Sequence, residues 1–203
     1  ARQVVLSLVA VVIVTANLAI QIPWYYFAQP VDVGAHVEIR VLSSNLRRGR
    51  ADVPAFAELA RSSADVIMLS ELTPDWVRHF YSLGIRNEFP YSLLVPAPGA
   101  SGFGMWSRFP LEAVSPLKGG SMIAARMQVP GVPVDPVVAG LHIMNPLTFY
   151  GRAFRQWREG ISAANLGMDH LAEIAGSGRV IVAGDFNSTP DMRQFRDLLT
   201  NGY

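Results

Sequence analysis

Hydrophobic and polar positions divide the chain into two textures. From Gln3 to Val31 no residue is charged, and Val4–Val14 is almost wholly aliphatic. Ala16–Ile22 continues the run, with Asn17 and Gln21 as polar interruptions. About 20 apolar residues in a helix cross a bilayer core, and this segment has that length. From Val37 onward the apolar runs are short and punctuated. Val37–Ser43 alternates and is rich in branched residues, which predicts a strand. Pro54–Ala64 has helical spacing through Phe56, Leu59 and Ala60, and Asp65–Leu69 suits a buried strand. Thr73-Pro74-Asp75 is a helix start: a hydroxyl cap, a proline at the first helical position, then an acid. The same signal recurs at Thr189-Pro190-Asp191, ahead of Phe195 and Leu198–Leu199.

Further strands are predicted at Tyr91–Val95, Phe103–Ser107, Met122–Val129, Val137–Ile143 and Val180–Ala183. A long helical stretch, Phe149–Ala175, is interrupted by Gly160 and Gly167. Turns at Pro96–Gly99 and Pro130–Pro136 separate these elements. Many strands punctuated by a few helices predict an α/β (α+β) domain of stacked sheets flanked by helices.

Composition narrows the chemistry. The 203 residues hold one domain and an appendage, and no cysteine is present, which excludes thiol catalysis, disulfides and zinc–thiolate sites. A formal net charge of +1 excludes neither nucleic acid nor lipid. The first segment reads as a single transmembrane anchor over residues 1–31, with the domain over 32–203. Trp24, Tyr25 and Tyr26 stand where an interfacial belt would be, and Arg2 before the segment with Asp32 after it puts the N-terminus inside. That orientation makes the domain extracytoplasmic. A signal peptide would deliver it to the same side, but no small-x-small cleavage site precedes Gln29-Pro30; a buried core helix is the remaining reading.

The polar residues fall at strand ends. Val37–Ser43 runs into Asn45, Asp65–Leu69 into Glu71, Val137–Leu141 into His142, and Val180–Gly184 into Asp185 and Asn187. Sheet-built sites gather where side chains leave the packed core. Taken singly, each of these reads as a solvated loop residue.

Five ordered pieces share a pattern. Val182–Pro190 contains Gly184-Asp185-Phe186-Asn187, and it is preceded by Ser44-Asn45-Leu46, Ser70-Glu71, Gly104–Pro110 with Ser107-Arg108-Phe109-Pro110, and Leu141-His142. Together they resemble the endonuclease/exonuclease/phosphatase superfamily, including a bacterial branch with a hydrophobic segment ahead of the domain. The resemblance implies a DNase I-like four-layer sandwich of two mainly antiparallel sheets. It also implies a Mg²⁺- or Mn²⁺-dependent hydrolase of phosphate esters, a phosphodiesterase, nuclease or phosphatase. On that resemblance Glu71 and Asn45 serve the metal, Asp185 accepts a proton from the attacking water, and Asn187 holds that carboxylate or the phosphate. His142 donates to a phosphate oxygen, and Asn45 also binds phosphate.

The family ends in a further segment with an aspartate–histidine pair, and nothing like it follows Asp191. His170, the last histidine, reads as a surface helix residue. The expectation is a C-terminally incomplete fragment, inactive or nearly so as it stands, with an uncovered sheet edge. The alternative is a nucleic-acid or phospholipid binding module that has lost its terminal histidine. Arg47, Arg48 and Arg50, with Arg152, Arg155 and Arg158 at helical spacing, could flank a polyanion groove with Trp157 stacking on a base. The competing reading is a solvated helix face with Phe154, Trp157 and Ile161 packed inward. The membrane segment points instead to a lipid-linked phosphoester. No obligate protein partner is inferred.

Overall fold

The structure, a computed structural model, describes residues 2–26, 36–114, 122–147 and 152–199. The chain divides into two compact units, His36–Asn187 and a second comprising Ala1–Ala35 with Ser188–Tyr203.

The larger unit holds two four-stranded sheets. In the first, β1 (Val41–Asn45) pairs parallel with β2 (Val66–Ser70), and β4 (Phe103–Ser107) pairs antiparallel with both β2 and β3 (Tyr91–Val95). In the second, β5 (Leu111–Ala113), β6 (Met122–Met127) and β7 (Val137–His142) are antiparallel, and β8 (Val180–Asp185) joins β7 in parallel. Parallel neighbours need a crossover. Helix α2 (Val53–Ser63) supplies the first and α4 (Ala153–Ala175) the second. Because both are strand–helix–strand units, β1 ends beside β2, and β7 ends beside β8. β8 is an edge strand of its sheet among the described residues.

Alternation along the strands builds the layers. Val66, Met68 and Met105 of the first sheet meet Ala125, Met127 and Val138 of the second. The opposite face of the first sheet sends Ile67, Leu69 and Trp106 to α2 and α3 (Pro74–Ser82), where Phe56, Trp76 and Phe80 close the aromatic core. On the far side, Ala124, Val137 and Ala139 pack on Leu171 and Ala175 of α4. These four layers are the DNase I-like sandwich, with both sheets mixed but mostly antiparallel. Trp76 and Trp106 are almost fully buried, and truncating such a side chain costs about 3–5 kcal/mol.

Caps define the helix starts. Asp52 accepts the Ala55 N–H at 2.8 Å ahead of α2, and Thr73 accepts the Trp76 N–H ahead of α3. The second Thr-Pro-Asp behaves differently. Met192 N–H donates to the Thr189 carbonyl at 2.9 Å, closing a turn, and the last described helix, α5 (Arg193–Leu199), begins only after it. The Arg196 guanidinium takes the Pro190 and Asp191 carbonyls, which a helix starting there would have used itself.

Three other expectations shift. β1 begins at Val41 rather than Val37, because Asp65 captures Arg40: its carboxylate accepts the Arg40 backbone N–H at 2.9 Å and the guanidinium at 2.9 and 3.1 Å. Gly160 and Gly167 do not interrupt α4. A Cβ at Gly160 would lie 2.9 Å from Ile143 Cγ2, so this glycine lets α4 sit close to the end of β7. Phe154 is 56% exposed rather than packed inward, stacking at 5.4 Å on Trp157, which is buried and closed to a base. His170 is an exposed α4 residue bonded to Glu173, as read from sequence. Phe149, Asp32 and the Gln29-Pro30 step lie outside the described residues.

In the smaller unit α1 runs Arg2–Tyr26. Its window Arg2–Ile20 has a mean hydropathy of 2.4 and none of it is buried. One such helix is compatible with a membrane span or a signal sequence.

Candidate active site

The ends of β1, β2, β7 and β8 meet at one end of the sandwich. In the strand registers Asn45 stands opposite Ser70, and His142 opposite Asp185. Glu71 follows Ser70 with φ 57° and Asn187 follows Asp185 by two residues with φ 46°. A left-handed backbone at a residue with a Cβ costs of order 1 kcal/mol or more, and such strain collects at functional sites. Gly184 sets the close approach of β8 to β7: a Cβ there would sit 2.0 Å from the Leu141 carbonyl oxygen.

One amide ties the carboxylates together. Asn45 Nδ2 donates to Glu71 Oε1 at 3.0 Å and to Asp185 Oδ2 at 2.8 Å, while its Oδ1 accepts the Arg47 N–H at 2.8 Å. Asp185 uses its other oxygen, Oδ1, to accept the Asn187 N–H at 2.9 Å, an Asx turn. Asn187 spends its side-chain NH₂ on the Ile143 carbonyl at 2.8 Å, fastening the turn to the end of β7. His142 Nδ1 meets the Ala100 carbonyl at 3.1 Å. A carbonyl only accepts, so Nδ1 carries a proton and Nε2 faces Glu71 Oε1 at 3.7 Å and Asp185 Oδ2 at 3.9 Å. Phe103 packs edge-on against the imidazole at 6.4 Å.

These groups floor an open cleft of about 710 Å³, with Arg47, Arg48 and Arg50 on its rim. All five residues singled out at strand ends therefore lie in one place. Arg152, Arg155 and Arg158 do not line the cleft among the described residues. Sequence reasoning missed the loop between β3 and β4. Its Ala97 N–H and Gly102 carbonyl clasp Leu72, next to Glu71, and its Ala100 carbonyl orients His142. A backbone carbonyl leaves no side-chain signature to read. The Ser107–Pro110 piece, by contrast, lies away from the cleft. Ser107 is buried and accepts the Phe109 N–H, while Arg108 donates to the Ala64 and Arg61 carbonyls beneath Asp65.

The donor set suits a hard cation. Two carboxylates and an amide stand within reach of one another at an open, polar cleft. Among the described residues no three His, Asp or Glu form an all-protein cage. Mg²⁺ seldom uses one, since it keeps several waters and takes few protein ligands.

A family model described as "Endonuclease/Exonuclease/phosphatase family" matches residues 42–203. The chain belongs to the endonuclease/exonuclease/phosphatase family. Endonuclease/exonuclease/phosphatase members are phosphoester hydrolases, and solved structures share the fold. The 3′ phosphatase NExo from Neisseria, bound to product DNA hairpin, superposes with TM-score 0.64 at 16% identity over 81% of this chain and 72% of that one. Sphingomyelinase C from Streptomyces griseocarneus gives 0.60 at 15% identity, covering 82% of this chain and 70% of that one. A variant of beta toxin from Staphylococcus aureus with bound magnesium ions gives 0.59 at 15%, covering 81% and 70%. No curated protein matches this endonuclease/exonuclease/phosphatase sequence.

Proposed function

We propose that the cleft is the active site of a divalent-cation-dependent phosphoesterase, acting as a phosphodiesterase, nuclease or phosphatase with Mg²⁺ or Mn²⁺. The observation that supports this best is the convergence of Asn45, Glu71, His142 and Asp185 from four strand ends onto one point. Glu71 is the anionic oxygen ligand, with Asn45 beside it; a bound cation offsets charge on the phosphate oxygens and leaving group. Asp185 Oδ2, ionised and acceptor-only, takes a proton from the attacking water, and Asn187 holds that carboxylate through its backbone N–H. His142 is aimed by Ala100 so that Nε2 faces Glu71 and Asp185 in the cleft, where its protonated form would donate to a phosphate oxygen. Asn45, bonded to both carboxylates, keeps them from separating, and on this reading it also serves the phosphate.

The same reading assigns residues 1–31 to a membrane anchor and 32–203 to the catalytic domain, held on the extracytoplasmic side. The exposed apolar helix α1 supports it.

The test is hydrolysis of bis-p-nitrophenyl phosphate and p-nitrophenyl phosphate by the full-length protein, with Mg²⁺, with Mn²⁺ and with chelator. Release that needs the cation, and that Glu71→Ala lowers by about 100-fold or more, is expected. A folded protein that releases nothing with either ion leaves a binding module as the reading.

A further inference from the structure

Three guanidinium groups sit at one rim of the cleft, on a turn held in a disfavoured conformation. Arg47, Arg48 and Gly49 follow one another with φ of 52°, 58° and 72°. Glycine adopts a left-handed backbone readily, whereas residues with a Cβ do so only where their surroundings impose it. Here the surroundings do. Leu46 is fully buried, its N–H donates to the Ser70 carbonyl at 3.0 Å, and its own carbonyl accepts from Arg50 at 2.8 Å and Ala51 at 3.0 Å. The Arg47 N–H donates to Asn45, the same amide that holds Glu71 and Asp185. On the other side Gly49 presses on the α3 cap, where a Cβ would lie 2.3 Å from Thr73 Oγ1. The turn cannot relax without disturbing Asn45, β2 or α3.

Arg47, Arg48 and Arg50 are exposed and line the cleft with Glu71 and His142. In the same unit Arg40, Arg61 and Arg78 pair with carboxylates, and Arg126 donates to carbonyls. Among the described residues no carboxylate neutralises the three rim arginines. Three free cations on a locked turn beside a phosphoester site form a ready receptor for a second anion, and arginine binds phosphate bidentately.

We propose that the Arg47–Arg50 turn is an anion subsite for a phosphate adjoining the scissile one, so that the substrate is a polynucleotide strand. The proposal rests on the phosphoesterase reading and narrows it. A choline phospholipid would set its cationic headgroup against these cations, which opposes binding. A polynucleotide repeats its phosphates along the chain and can occupy both sites at once. Among the described residues the phenyl ring lining the cleft, Phe103, is buried and edge-on to His142, so it offers no stacking platform. Recognition through phosphates alone carries no sequence information.

The test compares the full-length protein with an Arg47→Asn/Arg48→Asn/Arg50→Gln variant, asparagine being chosen because it tolerates the left-handed backbone. With Mg²⁺, kcat/KM is measured on a labelled oligothymidylate and on bis-p-nitrophenyl phosphate, and the oligothymidylate is also titrated across a salt series by fluorescence anisotropy. The expected result is a drop of about tenfold or more in the oligothymidylate-to-small-ester ratio, with the salt slope of binding falling by about two. An unchanged ratio and slope overturn the subsite, and so does faster hydrolysis of sphingomyelin vesicles than of oligothymidylate. Anisotropy separates the two claims when no turnover is seen. Salt-sensitive binding that the variant loses keeps the subsite and removes the phosphoesterase. Absence of such binding by the unaltered protein removes the subsite.

Discussion

Asp185 has its two oxygens committed in different directions. Oδ1 closes the Asx turn with Asn187, and Oδ2 meets Asn45 at the cleft floor. The geometry therefore accommodates a turn-capping role and a proton-accepting role in one side chain. Asn187 is similar: its NH₂ goes to the Ile143 carbonyl, so its link to Asp185 runs through the backbone. Asp185→Ala in the full-length protein is expected to lower kcat by at least ~100-fold, the lower range for a lost acid–base group. Asn187→Ala is expected to do the same, since it frees the turn that aims the carboxylate. Steady-state kinetics on bis-p-nitrophenyl phosphate reads both; near-normal turnover in either folded variant would remove that residue from the mechanism.

At the scale of elements, the strand–helix–strand units decide where the strands end, and ion pairs decide where they begin. Asp65 lies at the entry to β2 and accepts three hydrogen bonds from Arg40, with Arg108 3.8 Å away. The Arg40 hydrogen bond, then its charge, holds the Asp65 carboxyl below the usual range against the opposing effect of burial. A carboxyl whose folded pKa is lowered stabilises the fold above its unfolded pKa and loses that contribution as pH falls through the folded value. Asp65→Asn is therefore expected to be less stable than the unaltered protein at neutral pH, by roughly 1 kcal/mol because Arg40 is half exposed. The gap should close below about pH 4, the ordinary carboxylate range. Urea denaturation at pH 7 and pH 3 checks this, and a constant gap would show that packing rather than charge is lost. The alternation of Val37–Ser43 did not reveal the late start of β1. Pairing, not pattern, sets a strand's first residue, and the partner lies 25 residues on in the Asp65 clamp.

At the scale of the whole chain, an apolar helix long enough to cross a bilayer precedes a phosphoesterase fold. If α1 is a membrane anchor, the full-length protein should stay in the membrane fraction through high salt and alkaline carbonate and leave it with detergent. Removal of residues 2–26 should then release the domain to the soluble fraction. Release of the intact protein by carbonate would show that α1 does not span.

By itself the sequence indicated most of the helices and strands, though not the short β5 nor the first residues of β1 and α5, and which polar groups stand at strand ends. Both depend on local periodicity and chain chemistry. It also showed, through five ordered pieces, the family to which the chain belongs. Only the tertiary structure decided that Asn45 and Asp185, 140 residues apart, share a hydrogen bond. It alone placed the Ala100 carbonyl on His142 and closed Trp157 to solvent. It brought the arginines after β1 to the cleft and left those of α4 off it among the described residues. Such pairings follow from how two sheets pack face to face, a relation between distant segments that no local pattern encodes.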